Sequence, residues 1–337
     1  MPIQNYPTVF DCTEMTAAVN KLPALPVYFR RLFEVKGVKT TTVSLDIRKG
    51  RIVLIGDSPR NTAPESLAGR GAKREWMRLS CAHLAMSDTL APEDLQDVRA
   101  FGSTEPISVA EVYNDKMQQL KDNMTATVEF HRLGAIKGVV LDADGTTVLH
   151  DIFKTFGVTK KTLPISFPKT AADDANPILT SILNAKRHVE AAMGGTPFSH
   201  IECIIGSDAY DMLTSHVLVR KYFEDWLARK QDYGNNDYRK RGFTYGGLTF
   251  VERSDVVGGQ TMVAAKKGHV YPVGPGIFKQ YHAPADWMET VNTIGLEYYA
   301  RMDKKEKSRG IDIEVQTNPL TLCTYPEALV ELDFKAA

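Results

Sequence analysis

The chain has 337 residues, 41 Lys+Arg balanced by 41 Asp+Glu for a formal net charge of zero, and 43% hydrophobic residues. That length holds one large domain or two ordinary ones, and the composition is that of a globular chain rather than a disordered one. Zero net charge excludes a generic nucleic-acid binder, which needs a basic excess, and no apolar run reaches the roughly 18–20 residues that span a bilayer.

Residues 1–26 hold Pro2, Pro7, Pro23 and Pro26 and show no sustained period, so they read as an arm. This N-terminus lacks a basic and then an apolar region, so no signal peptide is expected. Thr40 to Ile47 alternates as a strand, with Val43, Leu45 and Ile47 on one face, and Ile52–Ile55 is a second short β run. Residues 56–75 then combine glycines, prolines and Arg60, Arg70, Lys73 and Arg74 with almost no apolar side chains. They read as an extended loop that packs on something other than its own core, with Trp76 just beyond it as a further interface candidate; were its charges to play no part, its backbone, Leu67 and Trp76 would hold it.

Ser108 and Glu111 form a capping box, and from there no glycine or proline occurs before Gly134. The expected helix carries a narrow stripe of Val109, Val112, Tyr113, Met117, Leu120, Met124, Val128 and Leu133, with Gly134 ending it, so it is expected to lie across a surface. Two β-rich runs, Gly138–Leu141 and Thr146–Ile152, flank Asp142-Ala143-Asp144-Gly145 as a hairpin, and residues 159–174 read as a linker. Asn176 before Pro177 starts a helix that stops at Gly194-Gly195. A buried strand Ile201–Ile205 and a helical stretch capped by Ser207 follow, then a polar loop over 231–242. Phe243–Tyr245, Leu248–Glu252, Met262–Ala265 and Val270–Val273 read as short strands, so residues 165–285 look like an α/β unit. Two β runs, Thr290–Arg301 and Ile311–Thr317, and a last strand within residues 322–334 complete the chain.

Charge is uneven along this order. Residues 1–80 hold 13 basic and 7 acidic side chains, a net +6, whereas residues 81–160 hold 7 and 12, a net −5. The two segments can therefore pair, within one chain or between chains. Candidate donors are Arg60, Arg70, Lys73 and Arg74. Candidate acceptors are Glu111, Asp115, Asp122 and Glu129, which recur near one helix face.

Catalytic motifs are few. The stretch from Lys137 to Thr146, an apolar strand followed by D-x-D-G-T, resembles the nucleophile motif of haloacid-dehalogenase-type phosphatases. There Asp142 would attack phosphorus and Asp144 would serve as general acid/base beside Mg²⁺. Against this, a long helix precedes the motif, the residues after it suit a hairpin, and no well-placed lysine and aspartate pair follows. A turn that uses Asp142, Asp144 and Gly145 for geometry is the favoured reading. No histidine pair has metal-ligand spacing, and Cys12, Cys81, Cys203 and Cys323 lie far apart without a C-x-x-C pair, so no metal or cofactor is expected and a reducing cytosol is the default. Phe29, Arg30, Arg31 and Phe33 read as an apolar anchor rimmed by arginines, as at protein interfaces.

Taken in order, PVYFRRLFE (26–34), HRLGAIKGVVLDADGTTVLHDIF (131–153), FSHIECIIGSDAYDML (198–213) and YYARMDKKEKSRGIDIEVQTNPLTLCTYPEALVELDF (298–334) resemble the major capsid proteins of tailed phages. The resemblance is to the lambda-type, protein E family with the Hong-Kong-97-type fold, and it covers nearly the whole chain. It implies an α+β chain. Residues 1–35 would be an N-terminal arm, 36–47 a peripheral-domain strand, and 48–78 an extended loop. Residues 79–164 would be the peripheral domain with a spine helix over 108–133, and 165–285 an axial domain. Residues 286–318 would add a peripheral hairpin and 319–337 an axial strand. Hairpins 136–153 and 290–317 would share the long peripheral sheet.

The function so implied is assembly without catalysis. Copies would form pentamers and hexamers of an icosahedral shell around packaged DNA, without sequence-specific contact or a membrane. Assembly would take place in the host cytoplasm, with a scaffolding protein, a portal and in some relatives a decoration protein. Some branches carry a removable N-terminal scaffolding segment, so here scaffolding would come from a separate protein or the segment would already be gone. Neutral charge suits such a shell, since a strongly basic inner wall would grip the DNA. The alternatives are the phosphatase and a cellular shell of the same fold that encloses cargo enzymes.

Overall fold

The computed structural model describes residues 12–23, 27–48, 74–96, 109–168, 176–229, 238–306 and 309–336. Arg60, Arg70 and Lys73 lie outside them, as does most of the expected loop, and of Arg74 and Trp76 only the backbone is described.

In chain order the elements are α1 (Cys12–Lys21), β1 (Phe33–Gly37), β2 (Thr42–Arg48), β3 (Arg74–Ser80), β4 (Leu84–Leu90), α2 (Val109–Lys137), β5 (Val139–Leu141), β6 (Val148–Asp151), α3 (Ile152–Thr155), β7 (Lys161–Phe167), α4 (Pro177–Met193) and β8 (His200–Ile205). They continue with α5 (Ser207–Ser215), α6 (Val217–Arg229), α7 (Tyr238–Arg241), β9 (Phe243–Tyr245), β10 (Leu248–Glu252), β11 (Val256–Val257), β12 (Gln260–Thr261), β13 (Lys267–Val273), β14 (Phe278–His282), β15 (Tyr299–Lys304), β16 (Ile311–Thr317), β17 (Pro319–Cys323) and β18 (Val330–Ala336). The chain divides into two compact units. Among the described residues, the first holds those within 1–44, 78–129 and 279–321, and the second those within 45–77, 130–278 and 322–337.

In the first unit β15, β16 and β4 form an antiparallel three-stranded sheet, with Ala300 opposite Val315 and Val315 opposite Met86. Period-two alternation puts Ile311, Ile313 and Val315 on the buried face, and Asp312 and Glu314 on the other. Met117, Leu120 and Met124 of α2, three and four residues apart, close over that face together with Met15 and Val19 of α1. Burial of each such side chain contributes about 1.5–3 kcal/mol. A second sheet of the unit, β1–β14–β17, is short.

The second unit is built on a six-stranded mixed sheet in the order β7–β18–β13–β8–β10–β9. The β18/β7 and β10/β8 pairs are parallel, and β13 runs antiparallel to both β8 and β18. Its centre is apolar on both faces, as Cys203, Ile204 and Ile205 show by being fully buried together, so helices must cover it. Helix α4 buries Ile178, Ile182, Ala185, Val189 and Met193, a stripe of three- and four-residue steps. Asn176 caps it by accepting from the Leu179 N–H at 3.0 Å, Pro177 fills the first helical position, and Gly194 ends it at φ +56°. The β5–β6 hairpin pairs on its own.

Several expectations need correction. Residues 12–21 are not an arm without periodicity but a helix with Met15, Thr16 and Val19 buried. Helix α2 runs past Gly134 to Lys137, and the left-handed glycine is Gly138 at φ +82°. At Gly134 a Cβ would lie 2.8 Å from Val140 Cα, so the glycine serves close packing rather than termination. The end of α2 is also buried rather than laid on a surface, as Leu133, Ala135 and Ile136 show. The supposed linker contains β7, with Ile165 fully buried. Ser207 is not a side-chain cap, and the helix it opens breaks at His216 into α5 and α6. Residues 262–265 are not a strand, and in Thr290–Arg301 the strand begins only at Tyr299. The last run is two strands in different sheets, separated by a turn of 3-10 helix at Pro326–Ala328. The hairpins over 136–153 and 290–317 do not share a sheet either.

Candidate assembly surfaces

Phe29 and Phe33 are not exposed anchors. Both are buried, on the 3-10 turn Phe29–Leu32 and at the start of β1, and they belong to the chain's own interior. The Phe29 N–H donates to Glu129 Oε1 at 2.5 Å, and Glu129 is itself buried at 7% exposure. Glu129 is therefore withdrawn from the set of surface acceptors, because its carboxylate serves a main-chain donor inside the first unit. The arginines do stay near the surface. Arg30 pairs with Glu297 at 2.6 Å, and Arg31 stacks over the Tyr28 ring at 4.4 Å while donating to its hydroxyl. Such half-exposed contacts contribute about 0–1 kcal/mol.

On α2, Glu111 and Asp115 are exposed, and Asp122 is half-buried and accepts from Gln118 Nε2 at 2.7 Å. The acidic face is thus Glu111, Asp115 and Asp122. Next along the chain, Lys121 is buried and Lys116 joins Asp88 and Asp94 at 2.9 and 3.3 Å.

The hairpin turn has the geometry its residues imply. The Asp142 N–H donates to Thr147 O, the Gly145 N–H donates to Asp142 O, and Gly145 sits at φ +70°. Asp142 Oδ1 accepts from the Ala143 N–H at 2.8 Å. Asp144 accepts from the N–H groups of Thr146 and Thr147 and from the Thr147 hydroxyl. The Thr147 hydroxyl and these amides hold the Asp144 carboxyl far below the usual carboxylate range. A general acid must carry a proton near neutral pH, and this carboxylate is stabilised without one. The turn therefore explains the motif, and the phosphatase reading gains no support. Among the described residues no group of three or more His, Cys, Asp or Glu is placed to hold a metal. No described helix is long and apolar enough to cross a membrane.

Two surfaces were passed over in the sequence. In the second unit, α6 leaves Val217, Tyr222 and Leu227 exposed, while Phe223 packs edge-on to Phe243 at 5.1 Å. In the first unit, Met288, Val291, Ile294 and Leu296 are exposed within nine consecutive residues. Their apolar and β-branched character is what suggested a strand there, since sequence alone does not say which side of such a run faces water.

Comparison with known proteins gives this fold a context. The family described as phage major capsid protein E matches residues 11–334. The chain is 25% identical over 360 residues to a major capsid protein of Salmonella phage Felix O1, with 96% of each chain covered. It is also 25% identical over 353 residues to a major capsid protein of Pseudomonas phage KPP10, with 98% of each covered. Among solved structures, the capsid of Ralstonia phage GP4 aligns with a TM-score of 0.52 at 11% identity, over 90% of this chain and 87% of that one.

Proposed function

The chain belongs to the phage major capsid protein E family, and on that premise we propose how its parts serve a shell. It is a phage major capsid protein with the α+β, Hong-Kong-97-type fold, and its copies assemble into the shell of the head, in the virion. The observation that carries this is the family match over nearly all of the chain, joined to a fold shared with phage capsids.

The second compact unit takes the axial role around five-fold and six-fold positions of pentamers and hexamers, and the first takes the peripheral role with α2 as its spine. Support comes from the broad sheet of the second unit, with helices over an apolar centre, and from the helix-on-sheet build of the first. The basic stretch with Arg60, Arg70, Lys73 and Arg74 meets the acidic face of α2 on a neighbouring copy, at Glu111, Asp115 and Asp122. The charge imbalance along the chain and the exposure of Glu111 and Asp115 support this. Assembly proceeds in the host cytoplasm with a scaffolding protein and a portal, and a decoration protein is a further candidate partner. The DNA inside is enclosed without sequence-specific contact, and the chain performs no catalysis. A phage head is favoured over a cargo-enclosing cellular shell because the matched family is one of phage heads.

Electron microscopy of the purified protein under assembly conditions tests the reading, with closed particles expected. A Mg²⁺-dependent phosphate-ester assay, with Asp142→Asn as control, tests the catalytic alternative. Hydrolysis lost in that variant would overturn the non-enzymatic assignment.

A further inference from the structure

The segment from Met288 to Leu296 in the first unit exposes apolar side chains on a fixed backbone. Met288 is 88% exposed, Val291 57%, Ile294 61% and Leu296 46%. Large contiguous patches of exposed apolar side chains are a mark of contact sites.

The backbone beneath them is tied from several sides. The buried Thr290 hydroxyl is shared between the carbonyls of Ala285 and Trp287, at 2.7 and 3.0 Å. The Thr293 hydroxyl and N–H both donate to Thr290 O. The Gly295 N–H donates to Val38 O at 2.9 Å, and the Leu296 N–H to the Tyr299 hydroxyl at 2.9 Å. A Cβ on Gly295 would lie 1.9 Å from His282 O, so only glycine lets the loop dock this closely. Trp287 anchors the start of the loop, edge-on to Tyr299 at 6.2 Å. A loop ordered in advance loses little entropy on binding, so the apolar area it buries goes to affinity.

Met288 and Val291 stand at the rim of a groove of about 720 Å³ that Lys39, Thr42, His83 and Ala285 also line. The groove's lining carries both signs of charge, Lys39 and Asp286, both exposed. A polyanion such as DNA needs a basic rim. A rim of mixed sign matches best a surface that carries the same mixture, as another copy of this chain does.

We propose that the loop over residues 288–296 is a seam between subunits, its four apolar side chains buried against a second copy of this chain. The inference rests on the capsid reading and names one of the contacts that reading requires.

Hydroxyl-radical footprinting of the wild-type protein, as free subunits and as assembled shells, tests it directly. Met302, 8% exposed in the core of the same unit, is an internal reference. Met288 should oxidise about tenfold more slowly in shells, near the Met302 rate, as expected for a side chain that becomes core. In addition, Met288→Glu with Ile294→Glu should give folded subunits, with an unchanged melting transition, that no longer form shells. Met288 as reactive in shells as in free subunits overturns the proposal, and so does normal assembly of the double variant. If the variant fails to fold, the wild-type footprint decides. If the wild type forms no particles at all, the capsid reading itself fails and the seam fails with it, which is a different result from shells with a reactive Met288.

Discussion

Lys121 Nζ donates to the main-chain oxygen of Leu22 at 2.6 Å, and also to Val19 O at 2.9 Å, so a buried cation on α2 closes the C-terminal end of α1. The last carbonyls of a helix lack intrahelical partners, and a charged donor there satisfies them. The Tyr298 ring lies 5.4 Å from the same ammonium, and Asn20 Nδ2 donates to Tyr298 O. Burial lowers the Lys121 pKa, and the negative charges of Asp122 and Glu297 oppose that shift.

Lys121→Met keeps the length and apolar stem but strands two buried carbonyls. It should destabilise the subunit by about 2–3 kcal/mol, read by urea denaturation. No change would mean that water replaces the ammonium.

Removing residues 1–22 should lower subunit stability, not assembly alone, because Met15 and Val19 sit in the core of the first unit. Met15→Ala should cost about 2–4 kcal/mol in thermal or urea unfolding. A truncated chain that melts with the full-length protein would return this segment to the role of a free arm.

Acid should weaken the subunit through buried histidines. Burial holds His269 at about 3 and His131 at about 4, both below the ordinary imidazole value of 6.5. Each stays neutral in the fold and gains a proton when unfolded, so their stability term is complete above about 6.5 and is lost as pH falls toward these values. The slope is about 1.4 kcal/mol per pH unit for each group, or about 2 kcal/mol each between pH 6.5 and 5. Urea denaturation across that range should show the loss, and His269→Gln should remove about half of it. An unchanged slope in the variant would place the acid sensitivity elsewhere.

At the hairpin, Asp142→Asn should stay within about 0.5 kcal/mol, since an amide oxygen can also accept from the Ala143 N–H. Gly145→Val should cost about 1–3 kcal/mol, because a β-branched residue is strained at φ +70°. Comparing the two melting temperatures checks this, and the reverse order would revive a chemical role for the aspartate.

Much of this was legible where local chemistry is distinctive. Asn176-Pro177 and Gly194 bracket α4, and Asp142 to Gly145 specify a turn, because caps and turns are written in single side chains. Tertiary partners left no such trace. Glu129 looks like a surface acid at helical spacing from Asp122, yet it is buried because its partner is a main-chain N–H of Phe29. Helix α1 is ten residues with few core positions, too short for its stripe to stand out. Pro164 makes β7 look like a linker, although its neighbour Ile165 is core. The exposed loop at 288–296 shows the same limit: its residues suit a buried strand, and only the backbone bonds of Thr290 and Gly295 turn them outward.

Reversing the charge of Arg70, Lys73 and Arg74 together should block assembly at low salt, and Glu111→Lys with Asp115→Lys should partly restore it. Added salt should slow the initial encounter more than it loosens finished shells, whose contacts exclude water. Light scattering against ionic strength reads both effects. Normal assembly of the triple reversal at low salt would reduce the charge pattern to chance composition.

Electron microscopy of the purified protein, imaged under conditions that drive association, bears most directly on the central claim. The account predicts closed icosahedral particles in which the six-stranded unit surrounds the five-fold and six-fold positions. A protein that stays a monodisperse monomer under all such conditions, without shells, rings or tubes, would contradict it.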